Sequence, residues 1–389
     1  MIERAFRGGR AYWTWIGILS AFVAAGFICY LLQLRDGLVI TGMGRNVSWG
    51  LYIANFTFLV GVAASAVMVV LPYYLHDYKQ FGKITVLGEF LAVSAAVMIL
   101  LFVFVDLGQP SRVFNVLLYP SPQSLLFWDM IVLNVYLMLN LIIGWQTLNA
   151  ERKSEPYPNW IKPLIYLSIP WAISIHTVTA FIYSGLEARP FWLTAVLAPR
   201  FLASAFASGP SFLILLCLVL RRAAGFDAGR EAIQKIAQII TYALLINIFL
   251  FLVELFTVFY SRIPDEMIHF QYILFGLPGH APLVAWMWSS IVLAWVSAFL
   301  LVNPRTRKNE SVLAVTCVAI ILSIWIEKGI GLVITGFIPS PLGEISRYVP
   351  TLQEVLVSTG IYALGFLILT FLFSAAVSVK KEASFLLQK

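Results

Sequence analysis

The chain has 389 residues, 60% of them hydrophobic and 12% charged, with a mean hydropathy of +0.88. Soluble domains carry about a quarter charged residues, so an assembly of soluble domains is excluded, and no long polar tract remains for a separate one. The formal net charge of +7 does not indicate nucleic acid, because the basic residues form short clusters between apolar runs, as membrane topology requires.

A spanning helix needs about 20 mostly apolar residues. Ten stretches qualify, at 12–32, 49–75, 84–106, 124–147, 162–184, 201–220, 236–260, 283–302, 312–336 and 355–379. The first follows Arg4, Arg7 and Arg10 but is longer than the apolar core of a signal peptide, so it counts as a span. Of the 26 basic residues, 18 fall on the side of the amino terminus and seven, Arg200 among them, on the other, leaving Lys328 inside span 9. That bias places both termini in the cytoplasm. The expectation is an all-α, multi-pass integral protein of the cytoplasmic membrane, one transmembrane unit over residues 1–389.

The outer connections, 107–123, 185–200, 261–282 and 337–354, are rich in Pro, Gly and aromatic residues. They are too apolar for free loops and are expected to lie at the outer interface, where a partner protein can sit.

Charged groups inside a bilayer are costly, which makes them the first functional candidates. Asp106 ends span 3 on the outer side. Asp129 lies about five residues into span 4, and His176 about eight residues before the outer end of span 5. With Asn55 in span 2, four consecutive spans each bring one polar group to the outer half. Asp129, Tyr136 and Asn140 share a face at spacings of seven and four. Single polar residues often only join helices through hydrogen bonds, but two acids and an imidazole at one depth can exchange protons near neutral pH.

Deeper candidates for a proton path are Glu89, Glu254, Glu327 and Lys328. Glu254 shares a face with Asn247, and Glu327 with Ser323 and Gly331. Both glutamates read either as neutral carboxyls bonded to neighbours or as proton relays. Lys328 is expected to meet a carboxylate on another helix. Glu89 lies near the cytoplasmic end of span 3, where snorkelling to the interface is favoured over admitting protons.

Cofactors can be narrowed. A bis-histidine haem b needs two inward-facing histidines, and His176 is the only one within a span. Cys29, Cys217 and Cys317 stand singly in apolar runs, so neither a disulfide framework nor an iron–sulfur or zinc site is expected. No phosphate-binding glycine loop is present, and no metal is expected. A small apolar carrier of electrons and protons, such as a quinone, suits this inventory.

The runs VSWGLYIANFTFLVGVAASAVMV (span 2), DLGQPSRVFNVL (after span 3), IHTVTAF (span 5) and ARPFWLTAVLAPRFLASAFASG (before span 6) resemble the NrfD and polysulfide-reductase membrane-subunit family. The likeness is nearest to its DsrP branch, the membrane subunits of Dsr complexes in dissimilatory sulfur metabolism. It covers essentially the whole chain. It implies two four-helix bundles, spans 2–5 (about 49–184) and spans 6–9 (about 201–336), with spans 1 and 10 flanking. It also implies a menaquinone or menaquinol site on the outer side of the first bundle, beneath a ferredoxin-like iron–sulfur subunit, with no haem or cluster in this chain. Dsr-type complexes would add a multihaem cytochrome c, a haem-b membrane subunit and a cytoplasmic iron–sulfur subunit.

By the same resemblance, Trp49, Gly50 and Tyr52 match the outer motif of span 2, while Asp106, Gly108, Pro110 and Arg112 match the turn after span 3. Asp106 would meet the quinone head group, with Arg112 pairing with it, Gly108 permitting a tight backbone and Pro110 locking its own φ. His176 would take the second proton. Electrons would leave to a partner, because these residues provide no stepping stone across roughly 30 Å of bilayer. The competing readings are a secondary transporter, with helix breaks at Pro170 and at Gly329, Gly331 and Gly336, or a passive anchor.

Overall fold

The computed structural model describes residues 8–76 and 78–386; Arg4, Arg7, Lys389 and the last residues of the basic tail lie outside the described residues. Among these, ten helices are long and apolar enough to cross a membrane: α1 (Arg10–Asp36), α2 (Leu51–Leu75), α3 (Lys79–Asp106), α4 (Leu125–Lys153), α5 (Ile161–Ser184), α6 (Leu197–Ala224), α7 (Arg230–Ser261), α8 (Val284–Val302), α9 (Glu310–Thr335) and α10 (Leu352–Glu382). No strand forms among the described residues, because an isolated helix satisfies its own backbone within lipid. The chain is a multi-pass integral membrane protein. The start of α1 and the end of α10 share one end of the molecule, called here the near end, since Trp15 meets Thr370 and Gly26 meets Gly360; α3 finishes and α2 starts at the far end.

Burial follows composition. A helix apolar on every side belongs inside, and all thirteen residues from Leu51 to Ala63 of α2 are buried. By contrast, α1 buries only Leu19, Gly26, Tyr30 and Gln33, a single face. Helices α2 to α5 pack in succession, α6 packs on α7 and α9, α8 packs on α7 and α9, and α2 meets both α6 and α9. Helix α10 lies against α1, α3 and α4. Gly26 and Gly360 make the α1–α10 crossing possible: a Cβ on Gly26 would stand 2.7 Å from Gly360 Cα, the close approach that small residues permit in membranes.

Helix α9 is not uniform. A π-helical stretch runs from Trp325 to Gly331, and its Gly329 packs against α2, where a Cβ would lie 3.0 Å from Ala54 O. At this widened turn Ser323 and Glu327 meet different helices. Ser323 bonds Ser290 of α8, whereas Glu327 meets Arg200 of α6. Pro170 lies within a continuous α5.

The far-end connections divide into two kinds. Trp192 is fully buried, Phe191 nearly so, and the helix Pro264–Leu274 buries His269, Phe270, Tyr272, Ile273 and Leu274. These segments plug the bundle. Residues Phe114, Leu117, Leu118 and Tyr119, in contrast, stand exposed.

Candidate functional site

Asp106 is the last residue of α3, and its Oδ1 is buried without a hydrogen-bond partner. The groups round it come from helices on both sides. Gln33 of α1 donates Nε2 to Val105 O at 2.6 Å, and the Tyr52 hydroxyl donates to Gln33 Oε1 at 2.7 Å. Glu354, in the first turn of α10, is fully buried and within electrostatic reach of Asp106. Its Oε2 accepts the Gly42 and Thr351 amides at 2.7 and 2.8 Å, and its Oε1 accepts the Tyr348 hydroxyl at 2.7 Å. Every donor to Glu354 is neutral and both of its oxygens are met, as a buried carboxylate requires.

The turn after α3 departs from the expected arrangement. Arg112 is exposed and makes no ion pair with Asp106 among the described residues, because the 3-10 turn Pro110–Arg112 carries it outward. Pro110 opens that turn, as its fixed φ allows. At Gly108 a Cβ would meet only Leu38 Cδ1 at 3.6 Å, an ordinary contact, so no close approach demands glycine there. At Gly50 one does: a Cβ would lie 2.4 Å from the Tyr348 hydroxyl.

Trp49 starts an aromatic cluster at the same end. Its ring lies 5.9 Å from Trp192, 5.6 Å from Tyr183 and 5.7 Å from Phe337. Trp192 donates Nε1 to Leu332 O at 3.0 Å, and its indole occupies the space a Cβ on Gly336 would need. Tyr183 is central to the far end. Its hydroxyl bonds Thr57 Oγ1, and since Thr57 donates its one proton to Ile53 O at 2.7 Å, Tyr183 is the donor. Tyr183 is within electrostatic reach of both Asp106 and Asp129. Asp129 accepts from Thr179 Oγ1 at 2.8 Å.

Asp106, Asp129 and His176 make no direct hydrogen bond to one another among the described residues; Tyr183 is within electrostatic reach of the first two. His176 is fully buried with both ring nitrogens unpartnered, and it is within electrostatic reach of Lys328 of α9. Lys328 makes no ion pair with a carboxylate among the described residues. Its Nζ donates to Phe201 O at 3.3 Å and stands 4.1 Å over the Phe201 ring, a cation–π contact. Asn55 also turns elsewhere, accepting from Trp325 Nε1 at 2.9 Å and the Tyr362 hydroxyl at 3.1 Å.

Arg200 overturns its placement among the outer loop cations. Helix α6 starts at Leu197, so Arg200 sits within it and bonds both Glu254 of α7 and Glu327 of α9, the latter at 2.6 Å. The two glutamates are therefore ion-paired through one guanidinium, whose planar fork suits two carboxylates. Asn247 donates to Glu327 Oε2 at 3.3 Å and leaves its own Oδ1 unpartnered. A cavity of about 20 Å³ opens among Arg200, Ser204, Asn247, Glu327 and Lys328, enough for one water.

Glu89 does not snorkel. It is 1% exposed with both carboxyl oxygens unpartnered, because α3 runs on to Lys79 and packing by α2 and α4 encloses that level. Tyr136 donates to Ala63 O at 2.8 Å, and Asn140 to Tyr136 O at 2.7 Å. No group of three His, Cys, Asp or Glu side chains suited to a metal is found among the described residues.

Three groups escaped the sequence reading. Tyr183 had a signal, since His176, Thr179 and Tyr183 follow at spacings of three and four on one α5 face. Gln33 and Glu354 had none, because the helices carrying them read as peripheral.

Comparison with known proteins bears on this arrangement. Residues 39–341 match the family model described as polysulphide reductase, NrfD. A putative membrane subunit of a dimethyl sulfoxide reductase from Halobacterium salinarum is 25% identical, over 91% of this chain and 88% of its own length. The integral membrane subunit of an Hdr-like menaquinol oxidoreductase from Archaeoglobus fulgidus is 23% identical over 52% of this chain and 49% of its own. The menaquinone reductase integral membrane subunit of Nitratidesulfovibrio vulgaris is 21% identical over 92% and 90%. With more than half of its length matched, the chain belongs to the polysulphide reductase NrfD family.

Proposed function

We propose that this chain is the quinone-interacting membrane subunit of a multi-subunit respiratory oxidoreductase, working on menaquinol or menaquinone at the far end of α2 and α3. The observation that carries this reading is the unpartnered, buried Asp106 oxygen, set between the Gln33–Tyr52 pair, Glu354 and the aromatic cluster of Trp49, Tyr183 and Trp192. A quinone needs an apolar slot, a hydrogen-bonding group for its oxygen and a route for protons. Two of the relatives, one similar over most of this chain and one over half of it, carry menaquinone or menaquinol in their names.

When quinol is oxidised, two protons and two electrons leave it. Asp106 takes the first proton at its free oxygen. The second is taken up towards Asp129 and His176, with Tyr183, within electrostatic reach of both Asp106 and Asp129, beside the route. Electrons go to a ferredoxin-like iron–sulfur subunit docked on the far end, against the exposed Phe114, Leu117 and Leu118. The far end is then the outer side of the cytoplasmic membrane and both termini are cytoplasmic, in keeping with the basic near-end connections. Helices α2–α5 act as the quinone bundle and α6–α9 as the second bundle. His176, Lys328, Glu327, Arg200 and Glu254 form a chain of ionisable groups between the two, and Glu89 lies on the near side; together they supply a proton path. The sulfur-metabolism assignment, with a multihaem cytochrome c, a haem-b subunit and a cytoplasmic iron–sulfur subunit as further partners, rests on the motif likeness to the DsrP branch.

The test is fluorescence quenching of a quinol analogue and quinol oxidation by the native assembly. Asp106→Asn lowers turnover by about 100-fold or more, the range of a lost acid–base group, and His176→Ala lowers it too. Full binding and turnover by both variants in an intact assembly moves the site to the second bundle.

A further inference from the structure

At the near end, opposite the quinone region, lies a cavity of about 560 Å³ lined by Arg230, Arg305, Lys308, Asn309 and Glu310. It is walled by the start of α7, the connection between α8 and α9 and the start of α9. Three of its five lining residues are cations against one carboxylate, Glu310, which is turned to Arg221. Both Glu310 oxygens accept from Arg221 Nη1, at 2.6 and 2.7 Å, and Arg221 Nη2 pairs with Asp227 at 2.8 Å. Glu231 accepts from Gln80. Arg230 donates only to the Lys308 carbonyl, at 3.4 Å, and no side-chain partner is found for Arg305 or Lys308 among the described residues.

Local geometry holds these cations in place. Asn303 caps the short helix Pro304–Lys308 by accepting the Arg305 amide, and Asn309 caps α9 by accepting the amides of Ser311 and Val312. Both caps are of the type that fixes a helix start. Arg305 and Lys308 therefore stand on one short capped helix between two membrane spans, with the second cap directly after Lys308. Just before them on α8, Phe299 and Val302 are exposed, by 74% and 53%.

We infer that this cavity binds a phosphodiester anion, supplied by the headgroup of an anionic phospholipid. Charge complementarity selects the phosphate: three lining cations against one lining carboxylate leave an excess of positive charge that a phosphodiester would offset. Position selects the lipid: the cations lie where spans end, and the exposed Phe299 and Val302 offer an apolar bed for the acyl chains. The site is independent of quinone chemistry, so its occupancy is measurable whether or not the chain handles quinol.

The experiment uses the full-length protein purified in a neutral detergent, titrated with phosphatidylglycerol or phosphatidylcholine and read by native mass spectrometry. The wild type retains phosphatidylglycerol in preference to phosphatidylcholine. Each neutralised cation lowers that affinity about fivefold, so Arg305→Gln with Lys308→Gln lowers it about 25-fold and Arg230→Gln alone about fivefold. Arg305→Lys, which keeps the charge, retains the lipid, and so does Lys153→Gln at another near-end connection. Competition by millimolar inorganic phosphate assigns the site to the free anion as well as the lipid; no competition assigns it to the lipid alone. Equal retention of the two lipids, or equal retention of phosphatidylglycerol by wild type and the double variant, overturns the proposal.

Discussion

Tyr348 accepts the Leu51 amide and donates its own hydroxyl to Glu354 Oε1, both at 2.7 Å. One phenol thereby joins the start of α2 to the start of α10, and makes a helix that reads as peripheral part of the far-end site. The same phenol lies over Gly50, which explains why the Trp49–Gly50 step has no room for a side chain.

Glu354 accepts from the Gly42 and Thr351 amides and from the Tyr348 and Thr351 hydroxyls, and Gln can accept on only one oxygen. Glu354→Gln keeps its one oxygen for the Gly42 and Thr351 amides and turns its NH2 to Tyr348, whose hydroxyl proton loses its acceptor, and a buried donor left unmatched costs about 1–3 kcal/mol. Thermal unfolding of the purified variant should fall accordingly, and quinol-analogue quenching should weaken with it. An unchanged melting temperature would show that the Glu354 network does not hold α10 in place.

Arg200 joins three helices through two carboxylates. Removing one partner of a buried ion pair leaves an uncompensated charge and costs about 3–5 kcal/mol, so Arg200→Gln should be the most damaging single change in the second bundle. Adding Glu254→Gln and Glu327→Gln to it should recover part of the loss, since the buried charges then go together. A triple variant no more stable than Arg200→Gln would rule out electrostatic compensation.

The α1–α10 crossing depends on bare backbone. Gly360→Leu places a side chain 2.8 Å from Gly26 Cα and should cost about 1–3 kcal/mol, as overpacking does. Gly17→Leu, on the same α1 helix but with nothing within 4 Å of its Cβ position, is the matched control and should leave stability unchanged in the same melts.

His269, outside the spans, contacts two carbonyls with Nδ1, Thr335 O at 3.0 Å and Ile338 O at 2.9 Å, so Nδ1 carries the proton. Burial pushes its imidazole below the usual range, against the smaller upward pull of those carbonyls, and Arg189 adds to the depression. A folded-state value below the unfolded one means the unfolded chain binds the extra proton first. The stabilisation is therefore complete above about pH 6.5 and drains away as pH falls below it. Melts between pH 8 and 5 should show the wild type losing more stability on acidification than His269→Gln; parallel losses would exclude His269 as the source.

What the residues determined alone is the count and rough extent of the spans and the family. Hydropathy is a local property, summed over about 20 residues, so ten apolar runs are visible without knowing their neighbours. The buried acids and His176 were visible for the same reason: each is costly in lipid wherever its partner is. Partners themselves were decided only by packing. Arg200 entered the membrane because α6 begins four residues earlier than its apolar run, and Glu327 meets it because α9 packs against α6. Glu89 was enclosed by α2 and α4, and Asp106 was given Gln33 and Glu354 from helices distant in sequence. Which side chains face one another depends on helix register and crossing, and those are set by contacts such as Gly26 on Gly360 and Gly329 on Ala54, where the backbone itself forms the interface and the hydropathy pattern carries no trace of the partner.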